Sequence, residues 1–275
     1  MILVTGATGA LGSLVAARLA DRSDTILGTR DPDRTTTGLP VRHIDFDEPD
    51  TLARGFDGVD VLLMISAGTG EDDTVIARHG AAIDAARKAG VGHVVYTSLT
   101  AAGDHLPYAL PHRWTERRLL ESGLEWTLLR NGLYAELLGG LAAPSADGRI
   151  TAPLGTGALA AVARADLAEA AAEVVVNASE HIGRVHELVG ERVVSGAELA
   201  AAHGPHISYE PMTLAEARAG LAASSAEPFQ VPMLVGTYSA IAAGMLAATG
   251  GDLRALLGRA PSCPLSAALA QHRAG

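Results

Sequence analysis

Short apolar runs recur through the first 130 residues, beginning with Ile2-Leu3-Val4 and returning in "TILGT", "VRHI", "VDVLLMIS", "HVVYTS" and "EWTLLR". Between them, apolar residues repeat at three- and four-residue intervals. A strand covered by helices on both faces shows no in-out alternation, so continuous apolar runs between helical periods mark a parallel sheet. The pattern predicts strands at about 1–5, 25–29, 40–45, 59–66, 92–98 and 125–130. It predicts helices at about 10–20, 49–55, 73–89 and 112–122. Six strands with right-handed helical crossovers make an α/β fold, a doubly wound parallel sheet of the Rossmann type.

Beyond Arg130 the alternation loosens into a glycine-rich stretch at 148–157, a helix near 165–177, a strand at about 185–189 and further helical segments. The expected division is 1–134 as the sheet domain and 135–275 as a smaller substrate-side lobe, partly interleaved with the sheet. In open α/β sheets the ligand lies in the crevice outside the carboxyl ends of the strands. A lobe over that crevice completes a pocket.

The first strand runs into "GATGALG", with glycines at 6, 9 and 12 ahead of an amphipathic helix. Gly6 permits the tight turn, Gly9 lets backbone approach a pyrophosphate, and Gly12 lets the helix pack close to the strand. The helix start supplies amide donors and a positive dipole end. In this context the spacing predicts an NAD(P)-binding loop. The second strand ends "TRDPDR", where Arg30, assisted by Arg34, suits a 2'-phosphate and hence NADPH; Asp31 offers the ribose contact typical of NADH. At the end of the third strand, Asp45 can accept from the adenine amino group and Phe46 can lie against the ring, while Asp47 is placed to cap the next helix. The fourth strand ends at Ser66 and Ala67, small residues that suit close approach of the nicotinamide.

A net charge of -10 removes the electrostatic basis for binding a nucleic acid backbone. The single cysteine, Cys263, forms no internal disulfide and reads as a passive thiol of a reducing compartment. Met1 leads straight into a strand without a basic leader, and no apolar run has the length of a membrane span, so a cytoplasmic protein without membrane association is expected.

Lys88 is the one lysine among 21 basic residues. A Tyr-x-x-x-Lys pair, in which lysine lowers the pKa of a catalytic tyrosine, is therefore excluded: Asp84 lies four residues before Lys88. Tyr108-x-x-x-His112 is the nearest substitute, with His112 at a helix start either as an oxyanion donor or as a surface residue. Ser98 lacks a base at motif spacing and reads as a positioning serine. His203 and His206 frame a Gly-Pro turn rather than a metal site. Glu116, Arg117 and Arg118 read as solvated or locally paired helix charges. Met233 and Tyr238 fit either an acceptor pocket or a core.

The stretches "VVYTSLTAA" and "HRWTERRLLESGLEWTLLRNGLYAE", taken with the glycine loop, resemble the NmrA-like branch of the atypical short-chain dehydrogenases. Within it the chain is similar to bacterial NAD(P)H:quinone oxidoreductases and triphenylmethane reductases. The Leu-Arg-Asn-Gly-x-Tyr run at 129–134 is the most specific match. The resemblance implies NADPH as hydride donor, a quinone-like or planar aromatic acceptor in the interdomain cleft, and a homodimer. It places cofactor contacts on Gly6, Thr8, Gly9, Leu11, Arg30, Asp45, Phe46, Ser66 and Ala67, and acceptor contacts on His112, Asn131 and Tyr134. Leu133 departs from the tryptophan of the quinone reductases and leaves the acceptor open. Two other readings share these residues: a tailoring reductase for an aromatic natural product, and a non-catalytic NADP(H)-sensing regulator.

Overall fold

The computed structural model describes residues 1–67 and 70–273. The chain begins with β1 (Ile2–Val4), α1 (Gly12–Arg18), β2 (Thr25–Thr29), β3 (Val41–His43), α2 (Pro49–Gly55), β4 (Val61–Met64) and α3 (Asp72–Ala89). It continues through β5 (His93–Leu99), α4 (Ala109–Leu120), β6 (Glu125–Asn131), α5 (Ala135–Leu141), β7 (Arg149–Ala152), β8 (Ala158–Leu159), α6 (Arg164–Val176) and β9 (Val185–Leu188). The remainder holds β10 (Val194–Ser195), α7 (Gly196–His203), β11 (Ser208–Pro211), α8 (Leu214–Ala222), α9 (Gln230–Ala242), α10 (Asp252–Leu257) and α11 (Pro264–Arg273). No helix among the described residues is long and apolar enough to cross a membrane.

Seven strands form the main sheet in the order β3-β2-β1-β4-β5-β6-β9. β1 pairs in parallel with both β2 and β4, so the chain reverses its direction of travel across the sheet on either side of β1. That reversal is the topological switch point of a Rossmann-type fold, where loops from neighbouring strands part and leave a crevice. The first six strands, in the order 3-2-1-4-5-6, make the doubly wound sheet expected from the apolar runs. β9 extends the sheet to a seventh strand rather than belonging to the substrate-side lobe alone.

The chain divides into two compact units. The first comprises Met1–Leu99, Leu110–Arg130 and Leu167–His186; the second comprises Thr100–Ala109, Asn131–Asp166 and Glu187–Gly275. The expected boundary at 134 lies just past the second of three steps into the second unit, at Thr100, Asn131 and Glu187, and the first unit also takes a later segment containing most of α6.

All seven residues of β5 are buried. Leu3, Leu62, Met64, Val94 and Tyr96 from the strands pack with Leu52 of α2, Phe56 just past it, Ile83 of α3 and Leu119 of α4 in one continuous core. Such burial is the dominant favourable term of the fold. α3 carries Asp72 and Asp73 in its first turn, Arg87 and Lys88 in its last, and ends at Gly90 with φ 73°. Its charges complement the helix dipole, and glycine supplies the left-handed terminus without a Cβ penalty. α4 starts at Ala109, earlier than expected, with Pro111 inside its first turn. Proline is tolerated there because the first-turn amides lack intrahelical acceptors.

Candidate functional site

The loop between β1 and α1 is shaped by its glycines. Gly6 has φ +62°, and a Cβ on Gly12 would lie 2.1 Å from the Gly6 carbonyl oxygen. The close crossing thus admits only hydrogen at position 12. The Gly9 amide donates to the same oxygen at 2.9 Å. Gly9 and Ala10 remain exposed, Thr8 is partly exposed, and Leu11 is buried beneath the loop. The Thr8 hydroxyl meets that of Thr29 at 2.8 Å, joining the loop to the end of β2.

Arg30 follows β2 and is exposed. Arg34 and Asp31 lie 3.8 Å apart beside it. After β3, the Asp45 carboxylate accepts the Asp47 amide at 3.0 Å, and Phe46 packs partly buried against the sheet core. Asp47 does not cap α2, whose start has no side-chain cap. Arg78 of α3 instead grips it with two hydrogen bonds of 2.7 Å, and that bonding holds the Asp47 carboxyl below its ordinary pKa.

The end of β4 is held by side chains from three directions. The Thr5 hydroxyl accepts the Ile65 amide at 3.1 Å, the Thr97 hydroxyl accepts the Ser66 amide at 3.0 Å, and His79 Nε2 accepts the Ala67 amide at 3.0 Å. Ser66 Oγ is buried without a hydrogen-bond partner. Gly6, Thr8, Gly9, Leu11, Arg30, Asp45, Phe46, Ser66 and Ala67 all fall at the carboxyl ends of the adjacent strands β3, β2, β1 and β4, within the first unit.

His112 lies on α4, half-buried, with Nδ1 3.0 Å from the Tyr96 hydroxyl. Burial, followed by the nearby Arg113 charge, lowers its pKa to about 4, so the ring is neutral at neutral pH. Burial raises the pKa of Tyr96, which keeps its proton. The partner of His112 is therefore Tyr96. Tyr108 instead meets Thr237 Oγ1 at 3.2 Å in the second unit, and burial raises its pKa rather than lowering it. Lys88 is exposed on α3.

Glu116 is neither solvated nor merely paired along its helix, as Arg117 is with Glu121. It is 6% exposed and binds three groups: Ser98 Oγ at 2.6 Å, Arg113 at 2.8 Å, and Arg130 through two bonds of 2.9 and 2.7 Å. Burial opposes its charge, but the bonds from Arg130 and Ser98 outweigh it and hold the pKa below the ordinary value. This cluster anchors α4 to the ends of β5 and β6. Its sequence signal is Arg130 at the end of an apolar strand, a position that requires a buried acceptor.

In the second unit, Asn131 is 7% exposed and its Oδ1 has no hydrogen-bond partner. Such an orphan in a native fold calls for an explanation. The Arg164 guanidinium lies 4.8 Å from the centre of the Tyr134 ring, and burial raises the Tyr134 pKa. Tyr238 is buried and donates to the Leu141 carbonyl at 2.7 Å, a core role. Met233 is partly buried. His203 ends α7, and Gly204 and Pro205 lead from it to His206 ahead of β11. A cavity of about 400 Å³ in the second unit is lined by Val162, Gly190, Arg192, Leu253, Pro261 and Cys263. The exposed Cys263 thiol has a lowered pKa, chiefly through the Ser266 backbone N–H.

A protein-family model described as NAD(P)H-binding matches residues 6–178. The chain belongs to the NAD(P)H-binding family. Quinone oxidoreductase 2 of Escherichia coli (strain K12) is 36% identical over 235 residues, covering 80% of this chain and 81% of its own. An NADPH-dependent quinone oxidoreductase from Escherichia coli, solved with NADPH, superimposes with a TM-score of 0.90 at 31% identity, covering 99% of this chain and 100% of the other. Triphenylmethane reductase of Citrobacter sp., solved with NADP(H), gives a TM-score of 0.90 at 30% identity, covering 98% and 100%. This NAD(P)H-binding chain thus shares its fold from end to end with reductases solved bearing the phosphorylated cofactor.

Proposed function

We propose that the chain is a cytoplasmic NADPH-dependent oxidoreductase that passes hydride to a quinone-like or planar aromatic small molecule, working as a homodimer. The observation that carries this reading is the cradle at the β1–α1 crossing, where a Cβ at Gly12 has no room and Gly9 lies open. The relatives supply the reaction: a quinone oxidoreductase and a dye reductase, each similar over most of its length.

The residues fit the cofactor by their chemistry. Gly6, Thr8, Gly9 and Leu11 hold the pyrophosphate, and Arg30 takes the 2'-phosphate as a charge-assisted pair. Asp45 and Phe46 receive the adenine, while Ser66, whose buried hydroxyl lacks a partner, and Ala67 border the nicotinamide. When bound, NADPH supplies a hydride equivalent.

Asn131, Tyr134 and His112 orient the acceptor and donate toward its oxygens. Tyr96, its proton retained by burial, shares a hydrogen bond with His112 Nδ1 and holds the imidazole in place. Holding donor and acceptor rings in register converts a bimolecular step into an effectively unimolecular one. A quinone takes hydride readily, so no lowered-pKa tyrosine is required; one proton taken from water completes the hydroquinone.

The test follows the reduced-nicotinamide absorbance of the purified protein with NADPH or NADH and a panel of benzoquinones and naphthoquinones. Saturable loss with NADPH, exceeding that with NADH, supports the reading. Tight NADPH binding without consumption by any acceptor supports a sensor instead.

A further inference from the structure

We infer that His79 is a positioning residue: through one fixed imidazole tautomer it ties the Ala67 backbone to the helix that carries His112. His79 lies in the middle of α3 and is 0% exposed, so no solute reaches it. Its two ring nitrogens face different elements. Nε2 is 3.0 Å from the Ala67 amide just past β4, and Nδ1 is 2.8 Å from Thr115 Oγ1 on α4.

The direction of every bond in this chain is set by its ends. An amide N–H can only donate, so Nε2 accepts and carries no proton. The ring is neutral, because burial lowers its pKa to about 3. Its one proton therefore sits on Nδ1 and is donated to Thr115 Oγ1. Thr115 in turn donates to the Pro111 carbonyl at 2.6 Å, and a carbonyl can only accept. No link is ambiguous, and every buried donor has an acceptor.

The packing that brings the ends together is local. A Cβ on Gly80, the next residue, would lie 3.2 Å from the Trp114 ring, so glycine there lets α4 approach α3. Arg78, on the other side, holds Asp47 past β3. Two consecutive residues of α3 thus tie the ends of β3 and β4, and His79 continues the tie to α4 at Thr115, one turn from His112 and beside Glu116. Without an acceptor, the Ala67 amide would have to turn elsewhere, and the segment proposed to border the nicotinamide would turn with it. The inference rests on that proposed role of Ala67.

The test begins with the unaltered full chain labelled with ¹⁵N at histidine. Long-range ¹H–¹⁵N correlation at neutral pH is expected to place the His79 proton on Nδ1; a proton on Nε2 overturns the inference. Next come two variants that each keep one of the two bonds. His79→Gln carries an acceptor toward Ala67, and His79→Asn keeps a donor toward Thr115. A merely structural histidine gives equal thermal stability losses and equal NADPH affinity in both. A positioning role gives His79→Asn about tenfold weaker NADPH binding, with faster amide exchange at Ala67, and leaves His79→Gln within about threefold, the scale set by one net hydrogen bond. Equal NADPH affinity in the two overturns it. Should neither variant fold, Thr115→Val and Thr115→Ser make the same comparison, since serine restores the acceptor and valine does not; weakened binding in valine alone supports the inference, and equal binding overturns it. Affinity is read from nicotinamide fluorescence without turnover, so failure to reduce any quinone counts against the proposed function while this comparison stands.

Discussion

The Tyr96 hydroxyl and His112 Nδ1 lie 3.0 Å apart, although sixteen residues separate them in sequence and the two belong to a strand and a helix. Burial moves their pKa values in opposite directions, tyrosine upward and histidine down to about 4. Both are neutral across the physiological range. Acceptor turnover, read as kcat/KM, is therefore expected to show no histidine ionisation between about pH 5.5 and 8. A step near pH 6.5 would show that His112 titrates as an ordinary imidazole.

The same shift makes a stability prediction. Between the ordinary value of 6.5 and about 4, the unfolded chain takes up a proton at His112 that the folded chain does not. Stability is then complete above the upper value and falls as pH falls through that window. The thermal midpoint of the unaltered chain should drop between pH 6.5 and 4.5, and His112→Gln should drop by less. Parallel curves would contradict this assignment.

Glu116 faces Ser98, Arg113 and Arg130 from inside the fold. Removing one partner of a buried charge cluster leaves the others uncompensated, at a cost of about 3 kcal/mol or more. Glu116→Ala should therefore lower the thermal midpoint by roughly 5–10 °C, at the conversion usual for a chain of this size. Exposed Glu121→Ala on the same helix should leave it nearly unchanged, and equal effects would show that the cluster contributes no more than a surface pair.

Asn131 is buried with an unpartnered Oδ1, in the segment proposed to meet the acceptor. Asn131→Ala should lower kcat by about tenfold to a hundredfold, in line with loss of one preorganised polar group. NADPH binding should change by less than about threefold. Unchanged turnover would remove the residue from the reaction.

Arg30 stands exposed just past β2. Arg30→Ala should raise the KM for NADPH by about tenfold or more while leaving that for NADH little altered, because a charge-assisted hydrogen bond to the 2'-phosphate is lost. A uniform loss for both cofactors would place Arg30 elsewhere than at the 2'-phosphate.

The strands and the glycine turn were legible because their causes are local. Two-sided burial writes an apolar run, and a crossing with no room for a Cβ writes Gly12. The side-chain ties were hidden because their partners meet only through packing. Glu116 reads as one of three helix charges until Arg130 is seen opposite it, and nothing near His79 in sequence announces Ala67 or Thr115. The helix expected from about residue 112 starts at Ala109, because the first turn of α4 accommodates Pro111. Asp47 carried a capping signal, but Arg78 offered two charge-assisted bonds and won.

The most direct measurement is single-turnover oxidation of NADPH by a naphthoquinone on the purified protein, with the transferable hydrogen of NADPH as protium or deuterium. Direct hydride transfer predicts a rate that saturates with quinone, slows on deuteration and collapses in Asn131→Ala. A rate that ignores both deuteration and that substitution would contradict it.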